Sequence, residues 1–175
     1  MFVYTNRPTV QGALYLDIDK HCAIDTWLNH GVSSKEGVEL DVGASCTFSL
    51  TDKTEVEMYA YRDFLYGTSD VTEVSMKITH GAINVSVIQF FWDNNPDATR
   101  FEVGYTLKPT EKLSVHPAIV YETGFGEADI IVGTVDIKYA ITEKWSIVGS
   151  IFTPLYKGAR DSRTTQAFVG LSFAF

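Results

Sequence analysis

The sequence predicts an all-β fold, an up-and-down antiparallel β-barrel of about twelve strands in a single domain spanning residues 1–175. Three observations predict it. Apolar and polar residues alternate with a period of two through almost the whole chain. The connections between alternating segments are short and long in turn. No stretch approaches the roughly 18 consecutive apolar residues of a membrane-crossing helix.

The segments follow in order. Val10–Asp19 sets Val10, Leu14, Leu16 and Ile18 against Gln11, Tyr15, Asp17 and Asp19. Cys22–His30 sets Cys22, Ile24 and Leu28 against Asp25, Trp27 and Asn29. Val38–Leu50 alternates most regularly, with Leu40, Val42, Ala44, Cys46 and Phe48 opposing Glu39, Asp41, Gly43, Ser45 and Thr47. Glu55–Tyr61 opposes Val56 and Met58 to Glu57, Tyr59 and Tyr61, and Thr72–Thr79 opposes Val74, Met76 and Ile78 to Glu73, Ser75 and Lys77. Ile83–Trp92 begins cleanly, but Gln89 falls on the apolar side, which suggests a bulge or the rim of the apolar band. Arg100–Lys108 carries Arg100, Glu102 and Lys108 on its polar side, and Leu113–Glu122 carries Ser114, His116 and Glu122. Val135–Ile141 carries Asp136 and Lys138, Trp145–Phe152 carries Ser146 and Ser150, and Ala167–Phe175 closes the series.

In this series the first and last segments run the same way, so they cannot close an antiparallel barrel. One more strand is required before Val10, and Phe2–Thr5 is its candidate, short or truncated. The first residues carry no basic region or apolar core of a signal peptide, as in a mature or truncated chain.

The same alternation suits a soluble barrel with a greasy interior that carries a lipophilic ligand. Three features favour lipid outside instead. The polar face mixes Gly43, Gly104, Gly170 and serines among its charges, as a crowded concave interior would. Apolar-face aromatics gather near segment ends: Phe48, Tyr105, Tyr139, Trp145, Phe173 and Phe175 by the short turns, and Phe91, Phe101 and Tyr121 by the long loops. Such rings favour the membrane–water interface. The chain also ends on Phe175 with Phe173 two before it. A mean hydropathy of +0.01 fits a chain whose apolar and polar residues alternate. The reading is a barrel in the bacterial outer membrane, with the lipid bilayer as its first partner.

The ending Phe168–Phe175 resembles the C-terminal signal read by the outer-membrane assembly machinery. Gly170, Phe173 and Phe175 match its positions, and Phe168 departs from the usual polar residue. Val10-Gln11-Gly12-Ala13-Leu14, Ala23–Asn29 and Glu39–Ala44 resemble a family of uncharacterised bacterial proteins presumed to lie in the outer membrane. That resemblance implies a barrel, and it supplies no activity or site.

The polar face is expected to line the lumen through Asp17, Asp25, Trp27, Glu39, Asp41, Glu57, Tyr59, Tyr61, Glu73, Lys77, Arg100, Glu102, Lys108, His116, Glu122, Asp136 and Lys138. Carboxylates predominate, and rings of carboxylates favour cations. The alternative is a salt-bridge network that only holds the strands. The first functional reading is a small pore for ions or small polar solutes. The second is a non-transporting barrel whose loops serve adhesion or recognition.

Catalysis is not expected. Ser114 and His116 share a strand face about 7 Å apart, too far for a direct hydrogen bond. No cofactor or metal site is expected. The net charge of −8 argues against a nucleic-acid partner. Cys22 and Cys46 fall on the apolar face of neighbouring strands, opposite or one diagonal apart. A disulfide is open to them in an oxidising compartment, and two separate small apolar side chains is the simpler reading. The Gly124-Phe125-Gly126 loop with Glu127 and Asp129 reads as a solvated loop.

Overall fold

The computed structural model describes residues 9–31, 38–65, 70–125, 129–157 and 164–173. They form one antiparallel sheet of eleven strands in simple chain order, and none of them is helical. The strands are β1 (Thr9–Asp17), β2 (Cys22–Gly31), β3 (Val38–Thr51), β4 (Thr54–Leu65), β5 (Val71–His80), β6 (Ile83–Trp92), β7 (Ala98–Tyr105), β8 (Leu113–Thr123), β9 (Ile130–Ala140), β10 (Trp145–Lys157) and β11 (Gln166–Phe173). β1 and β11 are the two edges, and with every neighbour antiparallel they run the same way. The expected closing strand, Phe2–Thr5, lies outside the described residues.

Three strands run farther toward the long loops than the alternation suggested. β4 continues through Arg62-Asp63-Phe64-Leu65, β9 begins at Ile130, and β10 reaches Lys157 after a register shift between Pro154 and Tyr156. Alternation failed there because Arg62 takes the apolar face, Ile130 and Val132 take the polar one, and Gly133 falls on the apolar side. Conversely β7 stops at Tyr105. Lys108 lies beyond it, exposed in the turn before β8, so it is not a strand residue facing the lumen.

The register sets like faces together across the sheet. One ladder row joins Tyr15, Asp25, Gly43, Tyr61, Glu73, Phe90 and Ala98. The next row on the same face joins Ser45, Tyr59, Ser75, Ile88, Arg100, Glu122 and Ile130. No register shift accompanies Gln89 in either of its pairings, so the bulge expected there is absent. Its amide is satisfied on the apolar face instead. Gln89 donates to the Ala98 carbonyl at 2.9 Å and accepts from the Thr99 hydroxyl at 2.7 Å.

Burial is inverted relative to a soluble protein. Leu14 is 71% exposed, Val103 56% and Ile119 57%, whereas Asp25 is 4% exposed, Asp63 6% and Glu122 1%. Soluble folds put aliphatic chains in the core and leave carboxylates in water. Here the polar face is the inner one. The sheet curls far enough for side chains on strands two apart to touch. Tyr61 on β4 donates to Asp25 Oδ2 on β2 at 2.6 Å, passing over β3 at Gly43. A Cβ at Gly43 would lie 2.6 Å from the Tyr61 ring, so glycine is what admits that crossing.

Cys22 and Cys46 pair directly opposite one another, and a disulfide joins them with a Cα–Cα distance of 4.1 Å. The expectation of two separate thiols is therefore corrected. The close Cα approach is that of a non-hydrogen-bonded antiparallel pair, where facing side chains come nearest. The bond sits at the short-turn end of β2. Asp19 shapes the adjoining turn, its carboxylate accepting from the amides of His21 (2.7 Å) and Cys22 (2.9 Å). Those two bonds hold the Asp19 carboxyl below its usual range.

Candidate functional site: the inner face

The inner face has three zones. Toward the short turns it is open. Asp136 and Lys138 on β9 are exposed there, and Asp136 accepts a hydrogen bond from Ser150 on β10. Asp17, the last residue of β1, is exposed as well. Toward the long loops the face is filled. A cavity lies at the short-turn end of β4–β8, beside that open stretch of β9.

The filled zone is the feature sequence reasoning missed. Val71, Phe90 and Ala98 form one buried cluster, joined by Leu65, Ile88, Trp92 and Phe125. Val120, Ile130 and Val132 form a second, packed against Phe152. Between the clusters Arg100 on β7 donates through Nε to Glu122 on β8 at 2.9 Å, both side chains nearly solvent-free. The guanidinium lies 5.2 Å from the Phe90 ring centre and 5.7 Å from that of Phe125, and those two rings meet edge-on at 4.9 Å. Phe125 therefore folds inward, contrary to the solvated loop expected. Gly124 beside it has a φ of 85° and touches the Asp97–Ala98 backbone, where a side chain would overlap. Only glycine tolerates both conditions. The signal in sequence was the run Ile130-Ile131-Val132, apolar on both strand faces, which marks a strand buried on both sides.

On β2–β5 the inner face is acidic. Asp25 Oδ2 accepts from Ser45 Oγ at 2.7 Å and from Tyr61, and Oδ1 has no partner. Asn29 donates to Glu39 at 3.4 Å. Asp41 faces Asp63 directly across the β3–β4 ladder. Asp63 is a buried carboxylate beyond the expected end of its strand, so the sequence reading omitted it. Trp27 pairs with Asp41, and Glu73 with Tyr61.

The cavity, of about 340 Å³, is ringed by β4–β8. Glu57 and Lys77 pair across one wall at 3.2 Å. Along its floor Thr79 donates to Asn84 Oδ1 (2.9 Å), Asn84 Nδ2 donates to Thr106 Oγ1 (3.1 Å), and Thr106 bonds His116 Nδ1 (3.0 Å). His116 Nε2 lies 3.5 Å from Glu102 Oε1. Gly104 leaves room for the imidazole, since a Cβ there would overlap it. The partners of His116 are thus Thr106 and Glu102, with no nucleophilic serine among them.

The outer face carries rings at both ends. Tyr105, Tyr139 and Trp145 are exposed at the short-turn ends of their strands, while Phe101 and Tyr121 stack at 6.3 Å toward the long loops. Phe64 joins the latter group, 5.9 Å from Arg62. Arg62 is an outward charge, held by Asp93 (2.5 Å) and Asp70 (3.6 Å) at the long-loop rim. Its guanidinium holds the Asp93 carboxyl below the ordinary range.

The curled antiparallel sheet is similar in fold to a solved porin. Its structure is described as "NanC porin structure in rhombohedral crystal form", and the likeness covers 95% of this chain and 93% of that one, with a TM-score of 0.69 and 10% sequence identity. The chain has the fold of a porin. No family model matches the sequence, and no curated protein does. At this identity the porin likeness speaks for architecture alone. It bears out the up-and-down antiparallel fold read from the sequence. Among the assembly-signal residues Gly170 lies in β11 opposite Val148, Phe173 pairs with Trp145, and Phe175 lies outside the described residues.

Proposed function

We propose that the chain is a barrel of the bacterial outer membrane whose acidic interior passes cations and small polar solutes and disfavours anions. The observation that carries the reading is the inverted burial, with aliphatic residues outside and carboxylates within. A sheet with that polarity matches acyl chains on one side and water on the other. The lumen-lining set is the inner-face series Asp25, Trp27, Glu39, Asp41, Glu57, Tyr59, Tyr61, Glu73, Lys77, Arg100, Glu102, His116, Glu122, Asp136 and Lys138, with Asp17 at its edge. Asp63 joins it. Insertion would use the assembly machinery through Gly170, Phe173 and Phe175. Planar-bilayer recording under a KCl gradient tests the reading. Discrete openings with a cation-selective reversal potential are expected, and Asp41→Asn with Glu39→Gln should shift that potential toward zero. Anion selectivity would refute it.

One observation favours a second reading, a scaffold that presents its loops without transport. The packed zone around Arg100 and Phe125 fills the long-loop end of the inner face over β4–β10. Electrical silence from correctly folded protein, persisting in Phe125→Ala, would decide for it.

A further inference from the structure

We infer that the short-turn rim where the β7–β8 turn meets the β9–β10 turn is a site for an anionic phospholipid headgroup. The inference rests on the outer-membrane reading, because only a bilayer around the sheet brings such a lipid to this rim.

The first argument is charge. Lys108 and Lys112 lie in the turn between β7 and β8, and Lys144 lies in the turn between β9 and β10. The two turns are joined, since the Ala140 amide donates to the Lys112 carbonyl at 2.8 Å. All three lysines are exposed, and none makes an ion pair among the described residues. By contrast Arg62, Lys77 and Arg100 are each paired with a carboxylate. Glu111 and Glu143 share the two turns, so ammonium groups exceed carboxylates there by three to two. The opposite rim is sorted the other way. It gathers Asp70, Asp93, Asp97 and Asp129, and Arg62 among them is held by two of the four.

The second argument is what adjoins the lysines. Leu107, Tyr139, Ile141 and Trp145 are large apolar side chains exposed at this end of the outer face. Lys108 follows Leu107, and Lys144 precedes Trp145. A lysine stem lies along apolar surface while its ammonium reaches the polar boundary, and Tyr and Trp rings settle at that boundary. A free inorganic anion would use the lysines and leave the apolar patch uncovered. A lipid covers both, with its phosphate at the ammonium groups and its acyl chains along the rings. The third argument chooses among lipids. A zwitterionic headgroup brings its own cation, which cancels the surplus of one ammonium. An anionic headgroup with hydroxyls keeps that surplus and can donate to Glu111 and Glu143. One lysine near an anionic surface strengthens binding about fivefold, so a surplus of one predicts a preference of about three- to fivefold.

The test is quenching of Trp145 by brominated phosphatidylglycerol, phosphatidylethanolamine or phosphatidylcholine, each mixed into phosphatidylcholine vesicles that hold the refolded full chain. Trp145 is the reporter, because Trp27 is on the inner face and Trp92 packs against the inner cluster. Its signal is the difference between wild type and Trp145→Phe. Phosphatidylglycerol should associate about three- to fivefold more tightly than phosphatidylcholine, and about 1 M NaCl should bring the ratio near one. Lys108→Gln, Lys112→Gln and Lys144→Gln together should lower the ratio to one or below, with the folded mobility on a gel retained. Lys20→Gln, in the β1–β2 turn, should leave it unchanged. A preference that survives the triple replacement, or that Lys20→Gln removes as well, would overturn the proposal. So would phosphatidylethanolamine equal to phosphatidylglycerol, since phosphate alone would then be recognised. Equal quenching by all three lipids removes the site and leaves the barrel in its membrane, whereas no quenching by any of them removes the outer-membrane reading itself.

Discussion

Removing Glu122 should destabilise the barrel by about 3 kcal/mol and loosen its filled end. Glu122 and Arg100 are 2.9 Å apart, with side-chain exposures of 1% and 8%. Deleting one partner of so dry a pair leaves an uncompensated charge, which costs roughly 3–5 kcal/mol. Arg100 keeps the faces of Phe90 and Phe125 that it already has, and the inner-face carboxylate of Glu73 still attracts it, so its charge is partly compensated after the loss of Glu122. The lower end of the range follows for Glu122→Ala. The double replacement Arg100→Met with Glu122→Leu removes both charges and keeps the volume, so it should return to within about 1 kcal/mol of wild type. Urea unfolding in lipid vesicles, followed through the fluorescence of Trp27, Trp92 and Trp145, of which Trp92 packs beside the cluster, gives both numbers. Glu122→Ala should also raise single-channel conductance, because water drawn to the bare guanidinium opens the packed zone. A loss below about 1 kcal/mol would mean that water already reaches the pair, and the filled end would be no barrier.

Other substitutions test other parts of the same architecture. Gly43→Val should push the Tyr61 ring off β3, break its bond to Asp25 and cost about 1–3 kcal/mol, read from the same unfolding curves. Non-reduced protein should resist alkylation at both cysteines, and Cys22→Ser with Cys46→Ser should lose about 3 kcal/mol through release of the closed segment; free thiols in native protein would refute the pairing. Val103→Arg places a charge on an outer residue that is 56% exposed. In lipid it should cost about 2–4 kcal/mol, whereas on a water-facing surface it would stay within about 0.5 kcal/mol.

Strand order, register parity and the sidedness of most residues were legible because period two assigns each side chain to a face and a slip of one residue would reverse them all. Cys22 and Cys46 fell opposite or one diagonal apart on that logic, and the direct pairing and the bond needed the observed register and Cα approach. The filled zone was not legible. Alternation equates apolar with outward, and Val71, Ala98, Val120, Ile130 and Val132 break that equation where loops and neighbouring rings cover the inner face. Arg62 breaks it the other way, since Asp93 and Asp70 satisfy it at the rim, and its outward position hid Asp63 behind an apparent strand end. The floor of the cavity was equally hidden. Thr79, Asn84, Thr106 and His116 come from four different strands and turns, and only the register makes them one chain of hydrogen bonds.

The soluble-carrier alternative fails on the chemistry of both faces together. A carrier of greasy ligands needs an apolar chamber and a wettable exterior. This chamber is lined by Glu57, Lys77, Asn84, Glu102 and His116, each held by a polar partner on the inner side. The exterior offers Leu14, Leu16, Val103, Ile119 and Leu171 instead, spread along strands from one edge of the sheet to the other. Exposed apolar surface on that scale marks a contact partner. No local rearrangement reverses the arrangement. The Asp25–Tyr61 crossing and the Glu57–Lys77 bridge tie three successive ladders to one parity, and flipping any strand would put its carboxylates and its leucines on the wrong sides at once. The polarity is thus a property of the whole sheet, and an apolar medium around it is what makes that polarity favourable.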